Sequence, residues 1–161
     1  MALEIERKFL VDHSKWGALN KPEGQLYCQG YISDLPGRTI RVRIAGDNGY
    51  LTIKGPTSNT IRQEFEYQIP VKDAAEILNL FTTSRVEKIR YRILVGMKTW
   101  EVDVFLGDNT GLIIAEIELT KPSESFILPG WAEREVTEDQ RYYNSYLATH
   151  PFNSWETKSA V

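Results

Sequence analysis

Val86-Glu87-Lys88-Ile89-Arg90-Tyr91-Arg92-Ile93, followed across Gly96-Met97-Lys98 by Trp100-Glu101-Val102-Asp103-Val104, alternates charged and apolar residues with a period of two from Lys88 onward. In extended chain that period sends Lys88, Arg90 and Arg92 to one face and Ile89, Tyr91 and Ile93 to the other. The second run sends Glu101 and Asp103 one way and Trp100, Val102 and Val104 the other. The stretch therefore reads as an antiparallel hairpin with one ionic and one apolar face.

Outward from this hairpin the same alternation predicts strands near 3–11, 26–33, 38–45, 49–55, 61–69, 85–95, 98–105 and 112–120. The polar faces carry Glu4, Glu6 and Lys8, then Arg41 and Arg43, Lys54, and Glu64 with Glu66. Glu116 and Glu118 follow on the last strand. The opposite faces, such as Ile40, Val42 and Ile44 or Phe65, Tyr67 and Ile69, read as the hydrophobic core. Eight strands suffice to close a barrel, so the expected class is mainly β (α+β), a closed antiparallel barrel with a few peripheral helices. Helical spacing predicts those helices over 71–81, 137–147 and 14–19, the last capped by Ser14; 155–161 reads as a tail.

A chain of 161 residues, 42% hydrophobic and 25% charged, suits one domain over 1–161. Its net charge of -3 argues against duplex nucleic acid as a partner. Cys28 is the only cysteine, so an intramolecular disulfide and a Cys-rich zinc site are excluded. His13 and His150 stand alone, which leaves carboxylates as metal ligands and hard cations as the metals. With no basic-apolar leader and no membrane-length apolar run, a cytoplasmic protein is expected, with no membrane partner. Monomer and homodimer are both compatible with this composition.

Alternation of this kind ordinarily marks a sheet with one wet face. Here nearly every residue on the polar face is ionic, and most strands carry a single sign. Like charges at i and i+2 gain nothing from each other, so stability alone would not select them. With that face turned inward, eight acids and seven bases would share one cavity. Such crowding is tolerable where charges pair or bind ions. Clustered carboxylates suit a divalent metal, and clustered Arg and Lys suit phosphates, so the expected ligand is a polyphosphate with Mg²⁺ or Mn²⁺.

Glu4-Ile5-Glu6-Arg7-Lys8 is similar to the Glu-x-Glu-x-Lys signature of the CYTH superfamily, the triphosphate tunnel metalloenzymes. Gln29-Gly30-Tyr31, Arg41-Val42-Arg43, Leu51 through Gly55, Glu64 through Tyr67, Val86 through Tyr91, Trp100 through Asp103, Ala115 through Glu118 and Glu135 through Asn144 extend the resemblance along nearly the whole chain. The short bacterial members that it most resembles are inorganic triphosphatases. The family also holds thiamine triphosphatases and class IV adenylyl cyclases, so ATP and thiamine triphosphate stand as alternative substrates. A non-catalytic polyphosphate- or nucleotide-binding module and a salt-bridged structural barrel are the remaining readings.

The resemblance implies that Glu4, Glu6, Glu116 and Glu118 hold metal, with Asp103 at a second metal position. It gives phosphate to Lys8, Arg41, Arg43, Lys54, Lys88 and Arg90, and to Arg92 nearer a strand end. Glu64, Glu66 and Glu101 either ligate metal or hold the basic side chains in place, the second being favoured. Lys8 and Tyr31 are the implied catalytic pair that orients or deprotonates water, unless the Tyr31 ring merely lies at the barrel rim. The last helix, with Arg134, Asp139 and Arg141 near its start, is expected either to plug one mouth, Arg141 reaching substrate, or to pack as a plain amphipathic helix.

Overall fold

In the computed structural model, which describes residues 2–156, the alternating runs form strands β1 (Ala2–Val11), β2 (Gln25–Leu35), β3 (Arg38–Ala45), β4 (Asn48–Ser58) and β5 (Ile61–Ile69). They continue as β6 (Arg85–Val95), β7 (Lys98–Phe105) and β8 (Ile113–Glu118). Neighbours run in the order β5-β4-β3-β2-β6-β7-β8-β1, all antiparallel, and β1 pairs back onto β5 through Ala2↔Glu64 and Glu4↔Arg62. That last pairing closes the barrel. Hairpins β3–β4 and β6–β7 turn on Gly46 and Gly96, both at positive φ, where a side chain would be strained.

A ninth strand was not foreseen. β9 (Ala132–Glu135) pairs with β1 at Phe9 and Val11, covering the edge that β5 leaves when it parts from β1 beyond Ile5. Four residues between a Pro129-Gly130 turn and a helical run carry too little alternation to announce a strand.

Three short helices pack outside or across the end: α1 (His13–Ala18), α2 (Val71–Phe81) and α3 (Asn144–Thr149). The cap of α1 is Asp12, whose carboxylate accepts from the Lys15 N–H, rather than Ser14. The single helix expected over 137–147 is instead a 3₁₀ turn, Gln140–Tyr142, and α3, separated at an extended Tyr143. None of the helices is long and apolar enough to cross a membrane. Of the expected tail, Trp155 packs edge-on against Tyr142 and Phe152, and 157–161 lie outside the described residues.

The apolar faces point outward and meet separate covers. Ile5, Phe9, Trp100, Val102 and Ile117 pack under Trp16 and Trp131, while α2 seals Val42 with Ala74 and Leu78. Ile61 and Ile69 at the ends of β5 pack against the covered clusters, but Phe65 and Tyr67 between them, with Ile53 of β4, remain 37%, 58% and 41% exposed rather than forming core. One end of the barrel interior is apolar: Leu10, Val86, Phe105 and Ile114 are sealed by Tyr142 and Leu147. This plug leaves the ionic part of the interior as a blind chamber at that end.

Candidate active site

The period-two pattern delivers the ionic side chains into the barrel. A cavity of about 120 Å³ is lined by Glu4, Glu6 and Lys8 of β1, Tyr31 of β2, Arg41 and Arg43 of β3, and Lys54 of β4. Arg62, Glu64 and Glu66 of β5, Lys88 and Arg90 of β6, Glu116 of β8, and Tyr143, Asn144 and Ser145 complete it. Eleven strand residues singled out by charge and Tyr31 thus meet in one place. Arg92, Glu101, Asp103, Glu118 and Arg141 do not line it.

Each absence has a physical reason. Arg92 is half exposed towards the strand end and bonds the Tyr27 hydroxyl at 2.8 Å, with Glu101 at 3.6 Å. Glu118 is likewise exposed, at the end of β8, opposite Glu6 in the ladder. Arg141 folds back on Asp139 at 2.7 Å and lies over the Trp155 ring, outside the barrel, so it does not reach the chamber as expected.

Asp103 lies behind the wall. Its Oδ2 is 2.7 Å from Lys88 Nζ, and both its oxygens accept from Arg90, at 2.8 and 2.9 Å. Both of its oxygens are thereby committed to cations. Burial alone would raise its pKa, but Arg90 and Lys88 outweigh burial and hold the carboxyl well below the usual range. Lys88 shifts downward because burial, helped by Arg90 and Arg43, outweighs Asp103.

The bases divide by partner. Lys54 bridges Glu4 and Glu64, each at 3.2 Å, and Arg41 meets Glu66 at 3.3 Å. Among the described residues Arg43 meets the neutral Gln29 carbonyl at 2.8 Å and the Tyr27 ring, and no carboxylate within salt-bridge distance. Burial first, then Arg41 and Arg90, draw its pKa down to about 9; it is still cationic at neutral pH. Arg41 Nε is buried without an acceptor among the described residues. An unmatched donor beside crowded guanidinium groups is a site for an anion.

Arg62 was missed, although it precedes Glu64 by two residues and so shares its face. Its Nε donates to the Gly55 carbonyl at 2.8 Å and its Nη2 to the Thr39 hydroxyl at 2.7 Å, with no carboxylate in reach among the described residues. Like Arg43, it has charge to spare for a ligand.

The acids crowd one side. Burial, then the neighbouring Glu64, raises the pKa of Glu4; burial, then Glu6, raises that of Glu116. Glu6 and Glu118 are paired across β1 and β8, as are Lys8 and Glu116. Among the described residues no three His, Cys, Asp or Glu side chains form a ready-made metal cage. Oxygen donors whose negative charge Lys8 and Lys54 only partly offset nonetheless fit a small hard cation such as Mg²⁺, which keeps several waters and takes only one or two carboxylates.

Lys8 lies between these acids, 3.7 Å from Glu6 and 3.8 Å from Glu116. Burial lowers its pKa, but Glu116, Glu6 and Glu4 outweigh burial, so it is held above the ordinary lysine value. It is an ammonium at neutral pH. Tyr31 lines the same chamber, its hydroxyl accepting from the Gln29 amide at 2.9 Å.

A family model described as CYTH domain matches residues 2–150. The chain is 46% identical over 157 residues to an inorganic triphosphatase of Acetivibrio thermocellus, covering 97% of this chain and 99% of that protein. It is 36% identical over 153 residues to an inorganic triphosphatase of Nitrosomonas europaea, covering 90% and 96%. Among solved structures, that of an inorganic triphosphatase superposes with a TM-score of 0.64 at 34% identity, covering 92% of this chain and 95% of the other. A Bacillus halodurans protein shares the fold at 16% identity, with a TM-score of 0.60.

Proposed function

The chain belongs to the CYTH domain family, and on that premise we propose that it hydrolyses inorganic tripolyphosphate to pyrophosphate and phosphate, dependent on Mg²⁺ or Mn²⁺. The observation that carries the proposal is the convergence of Arg41, Arg43, Lys54, Arg62, Lys88 and Arg90 with Glu4, Glu6 and Glu116 on one small chamber. Its basic wall matches the charge of a triphosphate, and its acidic side matches a divalent ion.

In this reading the phosphate oxygens lie against Arg41, Arg43 and Arg90, with Lys54, Lys88 and Arg62 around them. Asp103 is reassigned from metal ligand to support: it holds Arg90 and Lys88 in place. Glu4, Glu6 and Glu116 would hold the metal, with Glu118 at the outer edge, and a bound ion would supply positive charge against the phosphate oxygens. Water attacks the terminal phosphorus in line, its oxygen forming the new P–O bond. The bridging P–O bond breaks, and its electron pair leaves on the pyrophosphate oxygen, whose charge the guanidinium groups stabilise. A loose transition state asks little prior proton removal from the water, so Lys8 acts here as a cation that orients it rather than as a base.

The test is a phosphate-release panel with tripolyphosphate, ATP, thiamine triphosphate and pyrophosphate, with Mg²⁺ or Mn²⁺. Tripolyphosphate is expected to be turned over fastest, and equal rates on all four would defeat the proposal. Tripolyphosphate at 100 times its Kd should add about 2.7 kcal/mol of stability. That raises Tm by roughly 5–10 °C, whereas a structural salt-bridged barrel would show no shift. Arg62→Gln removes one charge-assisted contact and should raise KM for tripolyphosphate about tenfold with kcat little changed. An unaltered KM would exclude Arg62 from the substrate site.

A further inference from the structure

The Lys8 ammonium is held in an unusual way. Its two carboxylate neighbours stand beyond normal hydrogen-bond length, and Nζ makes no side-chain hydrogen bond among the described residues. It also faces the ring of Tyr143, whose centroid lies 4.7 Å from Nζ. Lys8 is buried, and a desolvated cation over a ring face is held more firmly than an exposed one.

Tyr143 is fixed by the chain on both sides. Its N–H donates to the Gln140 carbonyl at 3.1 Å, and its own carbonyl accepts from the Leu147 N–H at 3.0 Å, so it is locked at the junction of the 3₁₀ turn and α3. The same segment grips β1 at the lysine: the Val136 N–H donates to the Lys8 carbonyl at 2.8 Å, and the Lys8 N–H donates to the Thr137 hydroxyl at 3.0 Å. The next residue, Asn144, accepts from Lys88 Nζ through Oδ1 at 2.9 Å. One junction thus touches two of the three lysines that line the chamber, Lys8 and Lys88.

Tyr143 also stands at a boundary. It lines the chamber and, with Thr39, Arg62 and Ser145, a neighbouring vestibule of about 500 Å³ that adjoins it. Tyr31, the tyrosine expected to partner Lys8, instead engages Gln29 on the opposite wall.

We propose that Tyr143 is a positioning residue for this site: its ring face holds the Lys8 ammonium towards the chamber and screens it from the vestibule. The inference rests on the triphosphatase reading for its kinetic consequence but not for the contact itself. Leu at 143 keeps bulk and loses the ring face; Phe keeps the ring face and loses the hydroxyl.

Two measurements test it. In lysine-labelled protein without substrate, the Lys8 ε-methylene proton signals, assigned by their loss in Lys8→Arg, should be shifted upfield by the ring current, and the shift should vanish in Tyr143→Leu and persist in Tyr143→Phe. In tripolyphosphate turnover, Tyr143→Leu should lower kcat about tenfold with KM nearly constant, and Tyr143→Phe should restore it to within about twofold. A wild-type Lys8 signal without the upfield shift would overturn the contact, and that spectrum needs no variant at 143 to fold. An active wild type with unchanged kcat in Tyr143→Leu, or equal losses in Leu and Phe, would overturn the positioning role. An inactive wild type that still shows the ring-current shift would sink the triphosphatase reading and leave the contact standing.

Discussion

Glu6→Gln should reduce tripolyphosphate turnover by roughly a thousandfold while the barrel stays folded, because losing a metal ligand forfeits several kcal/mol of charge stabilisation in the transition state. The fold is expected to tolerate the change for an electrostatic reason. Glu6 is half-buried and raises the pKa of Glu116, a sign of repulsion between the two carboxylates. Removing its charge relieves that repulsion and costs only a loose 3.7 Å pairing with Lys8, which keeps Glu116 at 3.8 Å. The Tm without metal should therefore be unchanged or slightly higher than wild type. Phosphate release, thermal melting and metal titration by calorimetry together check the prediction. Turnover within tenfold of wild type would remove Glu6 from the metal site, and a large drop in Tm would mean that the lost activity reports on folding.

The chamber was legible because two sequence regularities are local: period two assigns a face, and sign along each strand assigns a ligand. Arg41 with Arg43 and Glu4 with Glu6 are found this way, and the same rule reaches Arg62, which lies within the strand expected over 61–69 on the face of Glu64 and Glu66. Depth along the barrel is not local. Whether a charge lies in the chamber, behind its wall or at the rim depends on the stagger between strands. The same alternation therefore yields a buried Asp103, a lining Glu116 and an exposed Glu118. The apolar face was over-read as core for the same kind of reason, since a sheet face is buried only where another element reaches it, and among the described residues none covers Phe65 or Tyr67.

The break at Tyr143 was likewise hidden. In a continuous helix residues 142 and 144 would point about 200° apart. Here Tyr142 must enter the apolar plug and Asn144 must meet Lys88, both on the barrel side. The chain satisfies both by leaving helical geometry between them. Arg141, which helical spacing would have carried inward with Ser145, is turned out to Asp139.

The placement of Asp103 has a consequence of comparable size. Asp103 and Lys88 side chains are each 1% exposed, and Arg90 shares the same carboxylate. Asp103→Asn leaves two buried basic groups facing a neutral amide, with Glu101, at 3.2 Å, still on Arg90. Breaking a buried pair by removing one partner costs about 3–5 kcal/mol. For a chain of this length that lowers Tm by roughly 6–20 °C. The sign with pH is fixed by the lowered carboxyl: its contribution is fully present above the ordinary Asp pKa and is lost as pH falls through the folded one. The carboxyl's share of the gap in stability between wild type and Asp103→Asn should therefore narrow below about pH 4. Tripolyphosphate should restore part of the lost Tm by supplying the missing negative charge to Lys88 and Arg90, whereas metal affinity measured without substrate should stay near wild type. The opposite pattern, an unchanged Tm with metal binding abolished, would return Asp103 to the metal and make its contacts with Arg90 and Lys88 secondary.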